Sequence, residues 1–163
     1  MLKLACLTLA ATALLVVLRE EKPNLTGVWE VDKTHSDFGR MPAPESLTDR
    51  IVHREPRLVI SSVLKLSPRR ALVSTIRAMS DGSETVNVIN GREFRARCHW
   101  EGLRLVLEVR DSEGRRMTEL RYLAADGRSL VVESYLGEPR GKPAERRVMV
   151  RRTAHTRGLP YAA

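Results

Sequence analysis

Cys98 and His99 stand side by side in "EFRARCHW". A thiol next to an imidazole is the pairing from which a cysteine nucleophile is built. In a strand, however, neighbouring side chains leave on opposite faces, so His99 would not reach Cys98. Cys98 is expected to be a buried structural thiol, free cysteine being among the most buried residue types. The four histidines, His35, His53, His99 and His155, are dispersed, and no His/Cys/Asp group has metal-ligand spacing. No metal and no other cofactor is expected. The chain also lacks Gly-x-Ser-x-Gly, His-Glu-x-x-His and a Gly-rich phosphate loop opening a helix. Glu20-Glu21 lies beside an apolar leader and Glu113 in a turn, so paired acid–base chemistry has no seat in the sequence. These residues point to no enzyme. A hydrolase would need polar groups that converge only in a folded cavity.

The net charge of +8 suits an anionic partner. Its distribution argues for something plainer: arginines are scattered along the whole chain and alternate with apolar residues, as on the wet face of a sheet. Aromatics are 4% of residues and do not interleave with arginine as in proteins that stack bases. No recognition helix or zinc-finger spacing is present. No nucleic-acid partner is expected.

Lys3 precedes a mostly apolar stretch, residues 4–18, that falls short of the roughly 20 residues of a bilayer-spanning helix. Residues 1–21 therefore read as an export signal. No small-residue cleavage site follows Leu18, which leaves two forms open, a cleaved signal peptide and an uncleaved signal anchor. Either sends the protein out, to the periplasm or medium in the first form and to the membrane face in the second. Cys6 belongs to this leader, so Cys98 is alone in the domain and no internal disulfide can form. The 163 residues leave room for one domain, 24–153, with a C-terminal tail over 154–163.

After Pro23 the pattern has period two, with turn signals about every ten residues, the spacing of an antiparallel meander. Nine strands are expected: "LTGVWEV", "RLVISSVLKL", "ALVSTIRAM", "ETVNVI", "EFRARCHW", "LRLVLEVR", "MTELRYLA", "SLVVESYL" and "RRVMVRRT". "DFGRMPAPES" and "GEPRGKPAE" read as loops. Asn90-Gly91 is the strongest hairpin signal, because both central residues of a type I′ turn need positive φ. Alternation places Leu103, Leu105, Leu107 and Val109 on one face, and Phe94, Ala96, Cys98 and Trp100 on another strand's inner face. The fold class is all-β: an up-and-down meander of about eight to nine strands, whose edges are removed by closing it into a barrel. A two-sheet sandwich is the alternative, but its crossovers would need longer connections.

A closed barrel needs its end plugged where the first strand enters. Gly27 allows close backbone approach, and Trp29 supplies one large side chain whose face can take a cation. Arg147, Arg151 and Arg152 lie at the right end of the chain, and Arg151 or Arg152 is expected on Trp29. Gly27-Val28-Trp29, the longer "LTGVWEVDKTHSDFGRMPAPESLTDRIVHREPRLVISS", "DGSETVNVINGREFRARCHWEGLRLVLE" and "LAADGRSLVVES" resemble the lipocalin-like family of exported bacterial proteins, with its G-x-W, K-S-x-F-G, I-x-H-x-x-P-x-L and W-x-G-x-x-L pattern. The resemblance implies a lipocalin-like barrel and singles out His53 and Pro56. From the residues alone, "IVHREPRL" reads as a bend with a satisfied histidine, and a place for His53 at a cavity mouth is the other reading.

Two functions follow as expectations. The first is an exported barrel holding one small apolar ligand. Its wall candidates are Ile60, Leu64, Leu72, Ile76, Leu105, Leu107, Val132 and Met149, with Ser62, Ser74, Asn87 and Ser134 to orient a polar end. The second is a cell-envelope interaction module with a side-chain-filled barrel, touching acidic lipid or protein through its basic exterior. Membrane contact is expected only through the N-terminal segment or that surface.

Overall fold

The computed structural model describes residues 21–152. The leader expected over 1–21, apart from Glu21, and the tail expected over 154–163 lie outside the described residues. Ten strands succeed one another: β1 (Gly27–Asp37), β2 (Ser46–Arg54), β3 (Arg57–Ser67), β4 (Arg70–Met79), β5 (Asp81–Ile89), β6 (Arg92–Glu101), β7 (Arg104–Asp111), β8 (Arg116–Leu123), β9 (Ser129–Leu136) and β10 (Glu145–Arg151). Each pairs antiparallel with its neighbour in the chain except β4 with β5, and β1 pairs with β10. The meander thus curls until its first and last strands meet, Trp29 opposite Arg151 and Val31 opposite Met149. The turn between β5 and β6 holds Asn90 at φ 51° and Gly91 at φ 74°, both positive as a type I′ turn requires.

The strand count is ten, one above the sequence expectation, and the addition is β2. Its inward residues are Leu47, Asp49, Ile51 and His53, all buried. An acid and an imidazole on the inner face interrupt the apolar alternation by which a half-buried strand is recognised. Leu103 also departs from expectation. It occupies the β6–β7 turn and is exposed, because Gly102 ends the pairing before the chain can present Leu103 inward.

β4 and β5 are the two ends of the sheet order, so the barrel carries one seam. Side chains bridge it. Asn87 of β5 offers its Oδ1 to the Arg77 N–H at 2.7 Å and donates its Nδ2 to the Arg77 carbonyl at 3.0 Å. Thr85 Oγ1 donates to the same carbonyl at 2.6 Å. The Asn87 amide thereby stands in for one peptide unit of a missing ladder.

The interior is unevenly filled. Leu25, Trp29, Ile51, Leu58, Leu105, Leu130 and Met149 are all fully buried where β1 enters and β10 ends. Each such side chain contributes roughly 1.5–3 kcal/mol of hydrophobic stabilisation. At the opposite end, where β1 finishes and β10 begins, inward residues such as Met117 are only half buried and Leu136 is 85% exposed. A second small cluster, Val106, Leu120 and Tyr135, lies buried on the outer face of β7, β8 and β9. Both faces of β9 are therefore covered, matching the apolar residues on both sides of "SLVVESYL".

Candidate functional site

The sealed end is built from the residues that carry the sequence motifs. The Trp29 indole donates from Nε1 to the Leu25 carbonyl at 3.0 Å, and the Arg151 guanidinium lies 4.4 Å from the ring centroid. Arg151 also donates to the Thr26 carbonyl at 2.9 Å, which ties the last strand to the entering chain. Arg152, the other candidate for this place, instead pairs with Glu30 at 3.2 Å, because the next residue along a strand turns to the opposite face. His53 lies here too. Its Nδ1 accepts the Leu25 N–H at 3.3 Å, so Nε2 carries the proton and donates to Glu55 at 2.9 Å. Glu55 further accepts from Trp100 Nε1 at 2.6 Å and from Ser80. Partial burial opposes ionisation of Glu55, yet these three donors prevail and hold its carboxyl below the ordinary range. His53 is thus a satisfied histidine at the plug, far from the open end.

Midway along the barrel an ion cluster spans the lumen. Arg121 of β8 donates across it to Asp49 of β2 at 3.0 Å, and along its own strand to Glu119 at 2.7 Å. Arg147 of β10 donates to the other Glu119 oxygen at 2.7 Å. Ser62 completes Asp49 with a 2.7 Å bond. All four charged groups are buried. Burial disfavours the Glu119 carboxylate, but the charges of Arg121 and Arg147 outweigh it and bring its pKa to about 2. Arg121 is likewise held protonated: burial pulls its pKa down, and Glu119 and Asp49 push it higher still. Cys98 is buried nearby, and desolvation pushes its thiol up to about 12, which leaves it without nucleophilic character.

Glu119 and Arg147 of this cluster floor a cleft of about 950 Å³ that opens at the unplugged end. Its walls are Asp37 at the end of β1, the β1–β2 loop (Gly39, Arg40, Met41), Met117 and Leu136 at the strand ends, and the β9–β10 loop (Lys142, Pro143, Ala144) with Glu145. Glu119, Ser134 and Arg147 lie at its base. Gly39 sets the spacing of the two loops. Its φ is +59°, and a Cβ there would stand 2.0 Å from the Ala144 carbonyl oxygen, so only glycine lets the loops meet. At the base, Arg147 Nε is buried without a hydrogen-bond partner, although Glu145 comes to 3.5 Å. Burial raises the pKa of Glu145; Arg147 opposes the rise, and Glu119 and Asp49 add to it.

The structure distributes the wall candidates unevenly. Ser134 lines the cleft. Ile60, Leu105, Leu107, Val132 and Met149 belong to the packed core, with Leu64 and Ile76 against it. Leu72 faces inward at the rim and is 42% exposed. Ser74 is half buried opposite Ser62. Ser62 gives its hydroxyl hydrogen to Asp49, and Asn87 spends both its polar atoms on the β4–β5 seam. The cleft residues Met41, Met117, Glu119, Leu136, Glu145 and Arg147 escape sequence reasoning. The one usable signal is parity along β8, where Met117, Glu119, Arg121 and Leu123 share a face.

Among the described residues no group of three or more His, Cys, Asp or Glu side chains is placed to hold a metal ion. No protein-family model and no curated protein matches the chain. Solved structures do resemble it. Wild-type fluorescent protein UnaG is 18% identical, with a TM-score of 0.56 over 79% of this chain and 97% of that one. Secretory abundant heat soluble protein 4 from Ramazzottius varieornatus is 12% identical, with a TM-score of 0.55 over 78% and 94%. Echinococcus granulosus fatty-acid-binding protein 1 is 11% identical, with a TM-score of 0.55 over 79% and 98%. The fold is that of the calycin-type β-barrels.

Proposed function

We propose that this chain is an exported, lipocalin-like binding barrel that holds one small, largely apolar molecule in the cleft at its open end. One observation carries the reading: a cleft of about 950 Å³, lined by Met41, Met117, Leu136 and Pro143 above a polar floor, in a barrel whose other end is sealed by Trp29 and Arg151. That volume and that mixture of apolar wall and few polar groups are what small-molecule sites have. Similar barrels include, by their names, a fatty acid transporter and a fatty-acid-binding protein, which supports the reading at the level of fold. The reading assigns the chain no catalysis, in keeping with a Cys98 thiol that stays protonated and a His53 committed to the plug. Export rests on the leader, with its basic start and apolar run.

A specific feature favours the second reading, an envelope interaction module with a filled barrel. The Arg121–Asp49 pair crosses the lumen and closes off its plug-side half. On the outer wall, Arg95, Arg97, His99 and Arg110 border a shallow groove of about 350 Å³, although Arg95 and Arg97 are both paired with Glu84.

Expression of the full chain for export, followed by mass measurement under native and denaturing conditions, tests both readings. An adduct lost on denaturation, or a rise in melting temperature with apolar compounds, is the expected result. No adduct and no shift across a panel of lipids and other apolar compounds would leave the filled-barrel module. The denatured mass also reports whether residues 1–21 have been removed.

A further inference from the structure

The floor of the cleft restricts the head group a ligand can bring. Its one arginine, Arg147, is already committed to Glu119, and Arg121 behind it to Asp49 and Glu119. The lining as a whole balances three cations, Arg40, Lys142 and Arg147, against three carboxylates, Asp37, Glu119 and Glu145. Lys142 is bonded to Asp37 at 3.1 Å on the rim, and Arg40 is exposed, where solvent screens it. A ligand carboxylate set against Arg147 would therefore meet Glu119 and Glu145, oxygens already 2.7 Å and 3.5 Å from that guanidinium. Repulsion between like charges is several times stronger in such a buried setting than in water.

What the floor lacks is an acceptor. Arg147 Nε is buried and donates no hydrogen bond, its ion-pair partner Glu145 standing 3.5 Å away, and an acceptor reaches it only when the side chain turns towards the cleft. A buried donor without a partner is a destabilised state that an incoming oxygen would relieve. One uncharged oxygen suffices. It would take the Nε–H without adding a fourth negative charge to the lining.

On the reading of this cleft as a ligand site, we infer that it selects a neutral amphiphile, an alcohol, ester or amide on an apolar chain, whose oxygen accepts the Arg147 Nε–H, and that it discriminates against the corresponding carboxylate. Met41, Met117 and Leu136 cover the chain nearer the mouth.

Calorimetric titration of the purified protein at pH 7.5 with 1-decanol and with decanoate separates the cases, since chain length is matched and only the head group differs. Decanol is expected to bind at least tenfold more tightly. Glu145→Gln is expected to narrow that ratio several-fold by improving decanoate, with circular dichroism and melting temperature confirming the fold. Decanoate binding as tightly as decanol would overturn the inference and leave the cleft as a ligand site. An unchanged ratio in folded Glu145→Gln would overturn the assignment of the discrimination to the carboxylates of the floor. If neither compound binds, this inference fails, and the ligand-site reading is then decided separately by the native-mass measurement and the wider panel.

Discussion

Arg121 holds more of this molecule together than its strand suggests, because two buried carboxylates on different strands depend on it. Replacing it with Met leaves Asp49 without its cation and Glu119 with Arg147 alone. Breaking a buried pair in this way costs about 3–5 kcal/mol, and urea unfolding of Arg121→Met at pH 7 should show a loss of that order. The loss should depend on pH. Glu119 titrates at about 2 in the folded protein against an ordinary 4.5, so the stability it adds is complete above pH 4.5 and disappears as pH falls towards 2. Arg121→Met moves the folded value back up, and the gap between variant and parent should narrow from pH 7 to pH 3. An equal gap at both values would show that Glu119 is not coupled to Arg121. Gly39→Ala makes a second test at this scale. The methyl must displace the Ala144 carbonyl, so a loss of about 1–3 kcal/mol is expected, with ligand affinity falling further than the melting temperature implies. Trp29 is legible in the sequence, and its partner to within Arg151 or Arg152, because a Gly-x-Trp and a C-terminal arginine are recognisable as residue types at given positions. Asp49, Glu119 and Arg121 are not, since a buried ion cluster inside strands has the same local appearance as charges on a wet face.

Strands with clean alternation declare themselves, and β6 and β7 do so through Ala96, Cys98, Leu105, Leu107 and Val109. β2 stays hidden because Asp49 and His53 take inward positions where the pattern requires apolar groups. In β8 the pattern misleads: Glu119 and Arg121 face the lumen while Leu120 and Thr118 are buried on the outer side. The β4–β5 seam follows from no periodicity at all, since whether two neighbouring strands pair is settled by how the whole sheet curls. Its closure by Asn87 can be tested directly. Asn87→Ala removes both side-chain bonds to Arg77, each worth about 0.5–1.5 kcal/mol. The Arg77 amide should then lose hydrogen-exchange protection, with β6 and β7 amides unchanged apart from the global shift in stability. Retained protection at Arg77 would mean that the seam is held by something other than the Asn87 amide.

Seen as a whole, the molecule is two unlike halves of one barrel. One half is filled by Leu25, Trp29, Ile51, Leu58 and Met149 and bolted by Arg151; the other is an open cleft between two loops; the Asp49–Arg121–Glu119–Arg147 cluster divides them. The barrel class and its plug are the parts that sequence reaches, because they depend on period and on a few motif residues. The division is not, because it arises where β2, β8 and β10 meet across the lumen, between residues 49, 119, 121 and 147. Such a division has a consequence for binding. A rigid, packed half has little to gain from a ligand, whereas loops with few buried contacts sit at the low end of local stability and gain most when bound. Hydrogen exchange with and without saturating 1-decanol should therefore show new protection over residues 38–45 and 137–145, and little change over 22–29 or 51–60. Protection spread evenly over both ends would place the ligand below the ion cluster. In that case the Arg121–Asp49 pair must open to admit it, and Arg121→Met would bind the ligand faster than the parent.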